Sequence, residues 1–207
     1  MKIAVILPTR GTYLVKAYKA LISSLVGFNY HIFTTTGHNT SKARNLMVKK
    51  ALKSAYTHFL FIDDDVVLKK GVIDQMFNYD VASCQIPLKE GGSNIKYNPD
   101  GTVAWAGAGC LMVKREVIEK MKKPYFNSAP QWILCYYKDK IRFRKKSDEP
   151  SEEGGEDINF CRQLIKLKYE IKILPIILEH IEILKYASIY AGVKINSRHR
   201  IKIHKKI

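Results

Sequence analysis

Acidic residues are scarce in this chain: 19 Asp and Glu stand against 35 Lys and Arg in 207 residues, for a formal charge of +16. Cysteine is sparse too, with Cys84, Cys110, Cys135 and Cys161 far apart and no Cys-x-x-Cys pair. That spacing excludes a zinc cluster, a redox motif and a disulfide scaffold, and points to four separate thiols in a reducing, cytoplasmic compartment. No uninterrupted apolar run reaches the length of a bilayer span. The longest candidate, 173–193, is broken by Pro175, Glu179, His180, Glu182 and Lys185. The apolar opening up to Pro8 is too short for a signal peptide. There is no internal repeat. What is present, 46% hydrophobic and 26% charged residues over one domain's length, suffices for a core and a solvated surface. The cationic surplus favours polyanionic partners without choosing among nucleic acid, an anionic membrane face and phosphorylated substrates.

The first half alternates strand and helix patterns. Ile3–Leu7 is a continuous apolar run stopped by Pro8, as a buried parallel strand requires. Leu14, Tyr18, Leu21, Ile22 and Leu25 recur at helical spacing before Gly27. Tyr30–Thr35 reads as a strand. A helix follows, capped by Ser41, with Ala43, Leu46, Met47 and Leu52 on one face. His58–Ile62 is the next buried strand, then a short helix around Val72–Phe77 and a strand at Val81–Ile86. The second half is less regular. Strands are expected at Val103–Ala106 and Cys110–Val113 around Gly107-Ala108-Gly109, helices at Arg115–Met121 and Glu156–Lys168, and a strand at Glu170–Leu178. Residues 138–155, poor in apolar side chains, read as a mobile loop. The fold class is α/β with a mainly parallel sheet.

His58–Ile62 runs directly into Asp63-Asp64-Asp65. Like charges about 4 Å apart cost roughly 4 kcal/mol at an effective dielectric near 20. A turn that lets the first and third converge on one hard cation removes that repulsion. The C-terminal edge of a parallel sheet is also where α/β proteins bind ligands. The bland alternative is a solvated acidic turn, disfavoured because acids are so few elsewhere.

Phe59-Leu60-Phe61-Ile62-Asp63-Asp64-Asp65-Val66-Val67 resembles two things: the first motif of haloacid-dehalogenase-type phosphatases and the Asp-x-Asp motif of GT-A glycosyltransferases. The phosphatase nucleophile normally follows the first strand, whereas two strand–helix units precede this element. The flanks resemble glycosyltransferase family 2. Ile3–Gly11 resembles its opening strand and nucleotide loop, and Ser41-Lys42-Ala43-Arg44-Asn45 its Ala-Arg-Asn segment. Gly107-x-Gly109-x-Leu111-Met112-Val113-x-Arg115-Glu116-Val117 resembles the segment leading to the acceptor side. Gly154-Gly155-Glu156-Asp157-Ile158-Asn159-Phe160 resembles its Glu-Asp motif, and Tyr169–Leu174 followed by His180 its closing strand and histidine. The order holds across residues 3–180, with Lys168 standing where the family usually has glycine.

The resemblance implies a GT-A fold, a mixed, mainly parallel sheet with helices on both faces. It implies a single catalytic domain over 1–193, with a nucleotide-sugar half (1–100), an acceptor half (101–193) and a basic tail (194–207). The implied activity is inverting transfer of a sugar from a nucleotide-diphosphate donor to an acceptor hydroxyl of a glycan, protein or lipid-linked molecule. Asp65, Asp63 and His180 would hold Mn²⁺ or Mg²⁺, which offsets the charge of the departing diphosphate. Thr9, Arg10, Arg44, Asp63 and Asp64 would bind the nucleotide sugar. Asp157 would be the general base, beside Glu156 as a substrate-positioning group. Each has a plainer role: a turn after Pro8, an exposed helix arginine, acids capping a helix, a satisfied histidine. Trp105, Tyr125, Phe126 and Trp132 would stack on sugar or, more simply, fill the core. The tail alternates Arg200, Ile201, Lys202 and Ile203, which suits an edge strand, a solvated tail or a peripheral membrane contact. The rival functions are the phosphatase and a basic nucleic-acid-binding protein, although no nucleic-acid motif is present.

Overall fold

The computed structural model describes residues 1–9, 11, 13–36, 39–88, 91–127, 155–181 and the backbone at 133–137 and 140–144. Strand β1 (Lys2–Pro8) leads to α1 (Val15–Ser24), β2 (Asn29–Thr35), α2 (Thr40–Ala51) and β3 (His58–Ile62). Then come β4 (Val66–Val67), α3 (Val72–Met76), β5 (Val81–Gln85), β6 (Ile95–Tyr97), β7 (Val103–Ala106) and β8 (Cys110–Lys114). The chain continues through α4 (Arg115–Lys120), β9 (Ile133–Tyr137), β10 (Lys140–Arg144), α5 (Glu156–Lys166), β11 (Lys172–Ile177) and β12 (Glu179–His180).

Six strands form the main sheet in the order β11-β5-β8-β3-β1-β2. Strands β2, β1 and β3 are mutually parallel, as are β5 and β11, while β8 runs antiparallel between the two groups. The sheet is therefore mixed and mainly parallel, as expected. Strands β1 and β3 are apolar from Ile3 to Leu7 and from Phe59 to Ile62 because both faces are covered. Ala4, Ile6, Phe59 and Phe61 pack with α2, α4 and α5 on one face. Ile3, Val5, Leu7, Leu60 and Ile62 pack with α1 and α3 on the other.

Three local expectations change. Helix α2 starts one residue before Ser41, and its cap is Asn39, whose side chain accepts from the Lys42 N–H at 2.8 Å. The Ser41 hydroxyl instead donates to the Phe126 carbonyl. The first part of the expected loop at 138–155 is strand β10, paired antiparallel with β9. Lys140-Ile141-Arg142-Phe143-Arg144 alternates charged and apolar residues, a strand period that the high charge concealed. The thiols of Cys84, Cys110 and Cys161 are free, but Cys84 and Cys110 are hydrogen-bonded neighbours and not separate. That contact, together with burial, raises the Cys110 thiol far above its ordinary value.

Helix α5 closes in a Schellman motif: the Lys168 N–H donates to Ile165 O and the Tyr169 N–H to Leu164 O. Lys168 sits at the left-handed position with φ 64°, the position where glycine is free of Cβ strain. The tail at 194–207, Arg10 and Trp132 lie outside the described residues, as does the membrane-contact expectation. Among the described residues, no helix is long and apolar enough to cross a membrane.

Candidate active site

The parallel directions of β1, β2 and β3 bring Pro8 and Thr9, Thr35, and Asp63 to one edge of the sheet. Because β8 is antiparallel and pairs Cys110 with Ile62, the turn Gly107-Ala108-Gly109 reaches the same edge. There the Asp63 N–H donates to Gly109 O at 3.1 Å. A Cβ on Gly109 would stand 3.1 Å from Asp63 Oδ2 and from Ile86 Cδ1, so the glycine leaves the carboxylate its place. The chain turns after Asp63, with the Val66 N–H donating back to Asp63 O.

A cavity of about 350 Å³ opens here, lined by Pro8, Thr9, Thr35, Thr40, Ala43, Arg44, Asp63, Asp64, Asp65, Glu156 and Asp157. Five of the nineteen acids thus face one arginine in a chain of net charge +16. Arg44 is buried, not exposed. Its guanidinium donates to Asp63 Oδ1 at 2.8 Å and to Glu156 Oε1 at 2.9 Å, and lies 5.4 Å from the Phe126 ring centroid. One cation on α2 therefore ties the end of β3 to the start of α5. Its Nε is buried without a hydrogen-bond partner among the described residues. Asp157 lines the cavity with Oδ2 accepting the Ala108 N–H at 3.3 Å. Cys161, on the same helix, anchors α5 to β7 through the Ala106 backbone, and burial pushes its thiol up to about 12.

His180 is not a lining residue but reaches the site through Asp65. The β4–β12 pair sets His180 opposite Val66, and the Ile181 N–H donates to Asp65 O. His180 Nε2 then lies 3.4 Å from Asp65 Oδ2. The Nδ1 atom is 3.2 Å from Pro87 O. A carbonyl only accepts, so Nδ1 carries the proton and, in the neutral ring, Nε2 turns a lone pair toward a carboxylate oxygen.

Two lone pairs facing each other call for a cation or a proton between them. Ligands at about 2.1 Å from one ion, set at right angles, are about 3 Å apart, close to the separation here. A histidine whose second ring nitrogen donates to a carbonyl is also the usual arrangement of a metal ligand. Asp65 and His180 thus fit a divalent ion. Asp63 is drawn instead to Arg44, and among the described residues no three His, Cys, Asp or Glu side chains gather closely enough to hold a metal.

Of the expected site residues, the structure brings Thr9, Arg44, Asp63, Asp64, Asp65, Glu156 and Asp157 around one cavity. Tyr125 and Phe126 are core residues and Trp105 packs against that core, which favours packing over sugar stacking. Sequence reading missed Thr35 and Thr40. For Thr35 the signal was available, since a strand parallel to β1 must deliver its C-terminal residues to the same edge; Thr40 opens α2 and carried no such signal. It also missed Asn94, for which a turn asparagine gives no cue. Buried Asn94 accepts the Ile86 N–H on its side chain and the Gly107 N–H on its carbonyl, joining the Pro87 and Gly107–Gly109 segments.

The strand order and the helices on both faces define a mixed, mainly parallel α/β fold with an acidic strand end. In structure the chain is similar to A197 from STIV, with TM-score 0.58 and 23% identity over 84% of this chain and 82% of that one. It is also similar to a glycosyltransferase involved in the glycosylation of the major capsid of PBCV-1, with TM-score 0.38 and 16% identity over 56% and 62% of the two chains. A third similar structure is HddC from Yersinia pseudotuberculosis, with TM-score 0.43 and 12% identity over 84% and 89%. No protein-family model and no curated protein matches the sequence.

Proposed function

We propose that this chain is a glycosyltransferase that moves a sugar from a nucleotide-diphosphate donor to an acceptor hydroxyl, with a divalent cation at Asp65 and His180. The observation that carries the reading is the concentration of five carboxylates at the sheet edge of a strongly basic protein. Alone, those carboxylates repel a diphosphate; with a divalent ion they attract it. One carboxylate completed by substrate phosphates is a common way to hold Mg²⁺, whereas the imidazole ligand suits Mn²⁺ better than Mg²⁺. Bound there, the ion would supply Lewis-acid stabilisation of the leaving diphosphate.

The remaining roles fall to side chains in place. Thr9, Thr35 and Thr40 offer hydroxyls to the nucleotide. Arg44 holds Asp63 and Glu156 in fixed positions instead of meeting the donor directly. Asp157, oriented by the Ala108 N–H, takes the acceptor proton. A base acting on the attacking hydroxyl suits single displacement and hence inversion at the anomeric carbon.

The test is a thermal-shift panel of UDP-, GDP- and dTDP-sugars with and without Mn²⁺. A ligand at 100 times its dissociation constant adds about 2.7 kcal/mol of stability. A metal-dependent shift with one nucleotide series is expected. No shift with any of them, together with turnover of an aryl phosphate, would return the phosphatase reading.

A further inference from the structure

Away from the acidic cavity, a groove of about 260 Å³ lies between α5 and the segment 122–127, lined by Lys122, Lys123, Pro124, Asn127, Asn159, Arg162, Gln163 and Lys166. Four of its side chains are cationic and none of these lining residues is acidic. Lys122, Lys123 and Lys166 are exposed, and among the described residues none of the three has an ion-pair partner. The walls are fixed by hydrogen bonds between them. The Asn159 side-chain amide donates to Asn127 O at 2.6 Å, that of Gln163 donates to Tyr125 O at 3.2 Å, and the Lys122 N–H donates to Gln163 Oε1 at 3.0 Å. Four cations around one groove, without an acid among its lining residues, give it a positive potential that favours an anion.

The groove's position relates it to the cavity. Glu156, Asn159, Gln163 and Lys166 follow one another at helical spacing along one stripe of α5. Glu156 faces the cavity and the other three line the groove. The stripe from Glu156 to Lys166 is about 15 Å long at 1.5 Å per residue. A molecule with a hydroxyl at Asp157 can therefore extend along α5 with its anionic part over the lysines.

We propose that this groove binds the phosphate group of the acceptor, so that the acceptor is a phosphate-bearing molecule. The groove as an anion site stands on its own charge and geometry; its assignment to the acceptor rests on the transferase reading. The phosphate can belong to a lipid headgroup or to a soluble ester, and the chemistry recognised is the same.

The experiment titrates the full chain with sodium tripolyphosphate in EDTA, so that no metal draws the probe to the carboxylates. It compares wild type, the triple variant Lys122→Gln/Lys123→Gln/Lys166→Gln, and the charge-matched control Lys49→Gln/Lys50→Gln/Lys53→Gln. The groove variant is expected to bind at least about tenfold more weakly, and the control within about twofold of wild type. Equal weakening in both variants, no weakening in the groove variant, or no binding by wild type overturns the proposal. Co-sedimentation with phosphatidylcholine vesicles with and without phosphatidic acid, again comparing the variants, separates the sources. Loss in the groove variant on phosphatidic acid identifies a lipid phosphate, and loss on tripolyphosphate alone identifies a soluble one. The nucleotide-sugar panel run on the same proteins keeps the two readings apart: wild-type donor shifts in a groove variant that binds tripolyphosphate normally sink this inference alone. Groove-specific binding without any donor shift sinks the transferase reading and leaves the anion site.

Discussion

Replacing Arg44 by Met keeps most of its volume and its packing on Phe126 while removing the one cation among the described cavity-lining residues. Breaking a buried ion pair by deleting one partner typically costs about 3–5 kcal/mol, because the remaining charge is uncompensated. Here the remaining charges are partly wetted, with the Asp63 side chain 37% and the Glu156 side chain 23% exposed. Water therefore recovers a share, and about 2–3 kcal/mol is the expected loss. Losing the attraction between the cation and the ring adds about 0.5 kcal/mol. Removing the unpartnered Nε returns about 1 kcal/mol. The net is a destabilisation of about 2 kcal/mol, or about 4–8 °C in Tm for a chain of this size. Calorimetry on wild type, Arg44→Met, the double variant Asp63→Asn/Glu156→Gln, and all three substitutions together completes a cycle. With both carboxylates neutralised, Arg44→Met is expected to cost well under half of what it costs in wild type. An Arg44→Met protein that melts within about 1 °C of wild type, or a cost unchanged in the neutralised background, refutes the view that Arg44 ties β3 to α5 electrostatically.

Four further outcomes are expected. Asp157→Asn keeps the shape and the Ala108 contact but loses proton affinity, so transfer should fall by roughly 10²–10⁴ while donor-induced thermal shifts persist; undiminished turnover would leave Asp157 a structural residue. Asp65→Ala should abolish the Mn²⁺-dependent part of that shift, and His180→Ala should weaken it; a metal response equal to wild type in Asp65→Ala removes the ion from this place. Lys168→Gly relieves a left-handed lysine at the end of α5 and should stabilise the protein by about 0.5–1 kcal/mol, measured by urea unfolding; a lower midpoint contradicts the strain. His58 is buried and held down to about 4, first by desolvation and then by the Lys114 charge. The unfolded chain therefore takes up this proton from about pH 6.5 downward and the folded chain only near 4, so stability falls as pH drops through that window and levels off below it. A full conversion is about 3 kcal/mol, reduced by solvent screening to about 1–2. His58→Gln should flatten that stretch of the stability–pH curve, and an unaltered slope assigns the loss to other groups.

The β1 to β3 half was legible because its signals are local. Apolar runs stopped by Pro8 and by Asp63, and the helical recurrence of Leu14, Tyr18 and Leu21, depend only on near neighbours in the chain. Parallel strands of a sheet end at one edge, so Thr9 and Asp63 were readable as partners before any contact was seen. The Glu156-Asp157 pair was legible only as a motif, since its chemistry depends on which sheet edge α5 meets. Tertiary structure alone decided the rest. Arg44, read as an exposed helix arginine or a phosphate ligand, became a buried clamp because two carboxylates distant in sequence, Asp63 and Glu156, converge on it. Asp63 and Asp65, neighbours in sequence, went to different partners because the turn between them points one toward α2 and the other toward β12. Cys84 and Cys110 met because an antiparallel strand reverses the chain beside β5. The physical reason is the same throughout: periodicity and turn chemistry act over a few residues, whereas a buried charge is satisfied by whichever group the packed sheet brings within about 3 Å.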